Sequence, residues 1–171
     1  MKKIFFIILI ILFSPSIVFS QAKKEKNVNT DPKNVFSRPY DYVNDFEKIM
    51  NADQITTLTN TLKAFEKKHL YKITVVTTST IEPYTSFPDY ALELDKYLAV
   101  DPKLDPTILI VVSKQLRQIQ VQSIDLIRYK LSDNDTQNII TTYAVPEFKK
   151  GDYSKGLELA VEQIMNKLKV Y

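Results

Sequence analysis

One histidine and no cysteine in 171 residues narrow the available chemistry before any fold is considered. Without a thiol there is no thiolate nucleophile, no disulfide and no Cys-ligated metal. His69 follows Lys67 and Lys68 at the end of a helical stretch, where a cation complements the helix dipole. No serine has a histidine partner suggested by its spacing. There is no His-x-x-x-His or comparable ligand spacing, and no Gly-rich phosphate cradle. Arg117 and Arg128 belong to the type that grips phosphate bidentately, one at the opening of a predicted strand and one in a loop. Gly151 and Gly156 are the only glycines. Gly151 suits a left-handed helix stop and Gly156 a close helix contact. Asp152 precedes the last helix and reads as its cap. Among the ten tyrosines, Tyr40, Tyr42, Tyr84, Tyr90 and Tyr97 fall in the first half of the domain, in a pattern that core packing or a contact surface would use.

Those residues need elements to hold them. Lys72 to Thr78 is β-branched almost throughout. Thr107 to Ser113 is apolar on both faces, as in a strand covered on two sides. Arg117 to Ser123 alternates glutamine with aliphatic residues, the pattern of a half-exposed strand paired antiparallel through a turn near Lys114 and Gln115. Asn51 with Gln54 forms a capping box for a helix whose buried stripe is Ile55, Leu58, Leu62 and Phe65. Ser86 caps a second, with Pro88 in its first turn and Tyr90, Leu94 and Tyr97 inward. Ser132 with Asp135 opens a third, carrying Ile139, Ile140 and Tyr143. Leu157, Val161, Ile164 and Leu168 stripe the last helix. The order α-β-α-β-β-α-α predicts an α/β fold, a three-layer α/β/α sandwich with a small mixed sheet.

The first twenty residues set the compartment. Lys2 and Lys3 precede an apolar run, Ile4 to Phe13, that is too short to span a bilayer of ~30 Å. Val18 and Ser20 supply small residues before a cut ahead of Gln21. Residues 1–20 are therefore expected to be a signal peptide, with an uncleaved N-terminal anchor as the alternative, 21–37 a flexible polar leader and 38–171 the folded domain. Export to the periplasm or beyond follows, with no transmembrane segment in the mature chain. The whole chain carries +3, and loss of Lys2 and Lys3 brings it close to neutral. Charge alone therefore points to no nucleic-acid partner.

Three segments together resemble the TPM-domain family of bacterial envelope and thylakoid-lumen proteins. Arg38-Pro-Tyr-Asp-Tyr-Val-Asn-Asp-Phe46 is similar to its opening motif, an extended Val-x-Asp-x before a helix. Thr107 to Ser123 matches its sheet core. Leu131-Ser-Asp133 followed by Pro146-Glu-Phe-Lys-Lys-Gly-Asp-Tyr-Ser-Lys-Gly-Leu157 resembles its Leu-Thr-Asp, Pro-x-Phe and Gly-Asp-Tyr-x-x-Gly signature. The resemblance implies a fold associated with calcium binding and with a proposed acid-phosphatase activity. Asp45 and Asp133 match family acidic positions and become the candidate metal ligands, since calcium takes six or more oxygens. Asp133 is equally suited to the first turn of a helix.

One departure matters. Where the family carries Gly-Tyr-Gly-Leu-Glu, this chain has Ile124, Asp125, Leu126, Ile127 and Arg128. A Cβ at the glycine positions obstructs close backbone approach to a ligand. The resulting expectation is an exported TPM-like module that binds a partner protein or envelope component, with calcium optional and no assigned catalytic residue. A low-specificity metal-dependent phosphatase is the alternative, and an accessory subunit of an envelope complex is a third.

Overall fold

The computed structural model describes residues 8–11, 35–101 and 103–169. The strands are β1 (Ile8–Ile11), β2 (Val43–Asp45), β3 (Ile73–Thr77), β4 (Ile108–Ser113) and β5 (Gln118–Ser123), in the sheet order β1-β5-β4-β3-β2. β2, β3 and β4 run parallel, while β5 is antiparallel to both β4 and β1. The mixed sheet is the expected one, with two additions. β2, read as an extended approach to the first helix, is a paired edge strand. β1 falls inside the apolar run assigned to the signal peptide. Residues 12–34, which hold the expected cleavage point and most of the leader, lie outside the described residues.

β4 has no exposed residue, because both faces of the sheet are covered. Ile73, Val75, Ile108, Ile110 and Val112 pack with helices α1 (Ala52–His69), α3 (Asp133–Ile139), α4 (Val145–Lys149) and α5 (Tyr153–Leu168). Val76, Leu109 and Val111 pack with α2 (Phe87–Leu98). This is the three-layer α/β/α sandwich. β2, β3 and β4 step across the sheet in one direction while α1 and α2 cover opposite faces, so the two crossovers have opposite hands. α2 lies over β5. That corrects the half-exposed reading of the alternating strand: Gln120 and Gln122 are 0% and 1% exposed.

Local chemistry starts each helix as expected. Asn51 and Gln54 form the capping box of α1, and Ser132 and Asp135 that of α3. The Ser86 hydroxyl accepts from the Asp89 N–H, with Pro88 in the first turn of α2. Leu58, Leu62 and Phe65 are buried, and Ile55 packs half-buried beside them. Between α3 and α4 the backbone widens into a π turn over Ile140–Ala144, where the Val145 N–H reaches back to the Ile140 carbonyl. Pro146, with no N–H to donate to the preceding turn, favours that adjustment. The widened turn keeps Ile139 and Ile140 inside and leaves Tyr143 38% exposed.

The leader boundary shifts slightly. Phe36 is fully buried, stacked on Tyr84, edge-on to Tyr90 and tilted against Tyr97, so the α2-side core begins before Arg38. Four of the clustered tyrosines therefore serve packing: Tyr40 contacts Phe46 and Tyr97 in the same aromatic group. Tyr42 lies on the other face, donating its hydroxyl hydrogen bond to Glu66 of α1. That bond, with partial burial, pushes its phenol up to about 12.

α5 carries the predicted stripe, with Leu157, Val161 and Ile164 fully buried and Leu168 1% exposed. Gly156 lets it approach the preceding helix: a Cβ there would sit 2.5 Å from the Phe148 ring and 2.9 Å from the Ala144 carbonyl oxygen. Truncating Ile164→Ala leaves a cavity at this interface and is expected to cost about 2–5 kcal/mol. Urea unfolding measures it, and an unchanged midpoint would mean that α5 contributes no docking energy.

Candidate functional site

At the carboxyl ends of the parallel strands the acids are tied to backbone and the cations are left facing open space. Asp45 ends β2. Its Oδ1 accepts from the Ile49 N–H at 3.1 Å and the Thr77 hydroxyl at 2.6 Å, and its Oδ2 accepts from the Met50 N–H at 2.7 Å. Thr77 Oγ1 in turn accepts from the Glu47 N–H at 3.0 Å. The Glu47 carboxylate then accepts the N–H groups of Lys114 and Gln115 at 2.8 and 2.7 Å. This chain fixes the loop after β2 to the turn between β4 and β5.

Two adjoining clefts open over that arrangement. One, of about 460 Å³, is lined by Lys114, Arg117, Phe148, Lys149, Lys150, Gly151 and Tyr153. The other, of about 620 Å³, is lined by Glu47, Lys48, Ile49, Ser79 and Gln115, and shares Lys114 and Arg117. Lys150 pairs with Glu147 at 2.7 Å. Among the described residues, Lys48, Lys114, Arg117 and Lys149 have no carboxylate partner. Lys114 Nζ lies 6.0 Å from the centre of the Tyr153 ring, which stacks on Phe148. Burial pushes the Tyr153 phenol up, Arg117 pulls it down and Glu47 raises it, with a net rise. Its hydroxyl therefore stays protonated at neutral pH and is available as a donor. The α4–α5 junction that closes this wall turns at Gly151 (φ +87°), as the stop reading requires. Asp152 caps α5 by accepting from the Lys155 N–H at 2.9 Å, as expected.

Asp133 is elsewhere. β5 runs back to the amino ends of the parallel strands, where the Ile124 N–H bonds the Thr107 carbonyl. α3 starts on that side, and Asp135 beside its cap pairs with Lys167 near the end of α5 at 2.6 Å. Lys167, then Ser132, hold the Asp135 carboxyl below the usual carboxylate range. Asp133 accepts from the Arg128 guanidinium at 3.1 and 3.3 Å, and Arg128 also lies 3.4 Å from Asp125. The position where the family motif has glutamate thus supplies a positive charge to Asp133.

The expected convergence of Asp45 and Asp133 is therefore corrected: they stand at opposite ends of the sheet. They do not fit one calcium ion, and among the described residues no three His, Asp or Glu side chains gather as a metal site. A cation at Asp133 would have to displace Arg128, and one at Asp45 would compete with three hydrogen bonds. His69 sits at the amino ends as well, its ring 4.8 Å from that of Phe65. Partial cover, then Lys68, Lys169 and Lys130, hold its pKa below the ordinary value. Arg117 lies in the β4–β5 turn with φ +54° rather than opening β5.

Sequence reasoning missed Lys48, Lys114, Lys149 and Lys150, which no local motif unites. The available signal was that each stands just beyond a strand or near a helix end. If Asp45 serves the loop, Asp45→Ala should lower stability by about 2 kcal/mol or more through orphaned N–H and hydroxyl donors. Urea unfolding with and without calcium should give equal losses, and a loss confined to calcium-containing buffer would make Asp45 a ligand.

The sequence matches the TPM domain over residues 43–167. No curated protein matches it. The N-terminal domain of a P. gingivalis protein, solved in solution by NMR, is 21% identical with a TM-score of 0.67, over 86% of this chain and 93% of that one. The N-terminal domain of the cg2496 protein from Corynebacterium glutamicum is 11% identical with a TM-score of 0.56, over 90% and 91%. The BA42 protein of the psychrophilic bacterium Bizionia argentinensis is 23% identical with a TM-score of 0.58, over 72% and 83%. At these identities the structures speak to fold alone. With the family match running from β2 to the end of α5, the chain belongs to the TPM-domain family.

Proposed function

We propose that this TPM domain is an exported binding module that takes an acidic group of an envelope component or partner protein at the carboxyl end of its sheet. The observation that carries the reading is the pair of clefts sharing Lys114 and Arg117, with Lys48 and Lys149 beside them, four cations with no ion pair among the described residues against the one Glu47 carboxylate in the lining. In open α/β sheets, ligands bind outside the carboxyl ends of the strands. Arginine and lysine there supply charge-assisted donors suited to carboxylate or phosphate oxygens. The protonated Tyr153 hydroxyl adds a neutral donor. Export is argued from Lys2, Lys3, the Ile4 to Phe13 run and Ser20, with the mature chain starting at Gln21. Among the described residues no helix is long and apolar enough to cross a membrane.

Inorganic phosphate and vesicles of anionic phospholipid, followed by backbone NMR, test the site and separate a free from a membrane-borne anion. Shifts are expected at Lys114, Arg117 and Tyr153. Lys114→Ala with Arg117→Ala should weaken binding by roughly tenfold or more. Added salt should weaken it too, because these charges are exposed. No shift with either probe, or undiminished binding by the double variant, would overturn the reading.

Calcium enters as a ligand to be tested against this geometry. Calorimetric titration of the exported protein is expected to give no binding that depends jointly on Asp45 and Asp133. A heat of binding abolished by Asp45→Asn and also by Asp133→Asn would restore the shared site and reopen the metal-dependent phosphatase.

A further inference from the structure

We infer that the processed chain pairs with a second copy of itself through the outer edge of β5. This rests on the export reading above, because β1 (Ile8–Ile11) covers that edge in the full chain, with Leu9 opposite Gln120. Cleavage ahead of Gln21 removes β1 and leaves β5 as an edge strand. Such edges are ordinarily protected by charge, proline, a bulge or brevity. Gln118-Ile-Gln-Val-Gln-Ser123 has six residues, no charge and no proline, and it keeps unbroken register with β4.

The side chains specify what fits. Gln120 and Gln122 point to the α2 face across from Val111 and Leu109, whereas Ile119 and Val121 belong to the opposite core. Gln120 is fully buried, yet neither its amide nitrogen nor its oxygen has a hydrogen-bond partner. The Gln122 nitrogen and the Gln118 oxygen are also buried and unpartnered. Buried amides without partners are costly, and an aliphatic strand such as Ile-Leu-Ile-Ile carries no group to satisfy them. An amide bears both donors and an acceptor, so another glutamine is its natural complement. Placing two β5 strands antiparallel about a twofold axis at Gln120 sets Gln120 against Gln120 of the partner subunit. The same register sets Gln118 against Gln122 of the partner subunit, and Ile119 against Val121 of the partner subunit. Every amide then meets an amide and every aliphatic residue an aliphatic one. Self-complementarity of this kind is what a closed twofold interface requires, and glutamine ladders across strands are a recognised source of pairing.

The test uses the exported protein, with its N-terminus read by mass spectrometry in the same sample. Light scattering across a concentration series should show a monomer–dimer equilibrium. The outward amides of β5 should gain hydrogen-exchange protection as concentration rises. Gln120→Lys, which sets like charges face to face, should abolish the dimer while keeping the circular dichroism of the parent. Mixing it with Gln120→Glu should restore a heterodimer. If either variant fails to fold, the concentration dependence of exchange in the parent decides alone. A monomer at every concentration with unprotected β5 amides overturns the pairing, as does a dimer that persists in folded Gln120→Lys. Met1 on the folded exported protein overturns it through the failure of processing, a result separate from any failure of pairing.

Discussion

β4 offers no side chain to water on either face, and much of the molecule follows from that constraint. A strand buried on both sides needs a helical layer above and below. Here the larger layer is α1 with α3 to α5, and the smaller is α2 over β5. Covering both faces removes them as places for a ligand. Polar function is left to the strand ends, where the loops carry Glu47, Lys48, Lys114 and Arg117 on one side and Arg128, Asp133 and Asp135 on the other. The opposite hands of the two crossovers belong to the same solution: α2 must leave the face that α1 occupies to reach the uncovered side.

Most of the frame was legible because it is written locally. A capping box is a four-residue interaction, so Asn51 with Gln54 and Ser132 with Asp135 announce helix starts without tertiary knowledge. The α5 stripe repeats at helical period and was equally plain. Errors arose where distant residues decide. Alternation in β5 indicates two different faces, but only the position of α2 determines that the glutamine face is covered. β2 is three residues long and becomes a strand only through its parallel register with β3.

The candidate site was less legible than the fold, for a physical reason. Asp45 and Asp133 both stand beside elements of the sheet, and family motifs single them out. Yet a motif match carries no sign of which end of the sheet its residue reaches; only the pairing of the strands does. The antiparallel turn from β4 to β5 sends Asp133 to the far end, so two residues alike in one dimension are separated in three. The cationic clefts suffered the converse. Their residues come from four separate stretches of chain and converge only after the sheet has formed.

Lys48 and Arg117, with φ of +57° and +54°, are two of the three non-glycine residues described in the left-handed region. That region costs an ordinary L-residue about 1 kcal/mol that glycine does not pay. Both residues line the clefts, where Gly151 at φ +87° is the one lining position already held by glycine. A glycine at either place would relax the backbone and delete a charge in the same step. Fold and ligand therefore make opposing demands at these two positions. Sequence drift toward glycine there would mark a lineage in which the clefts had lost their use, whereas retention of a strained cation would mark one in which they had kept it.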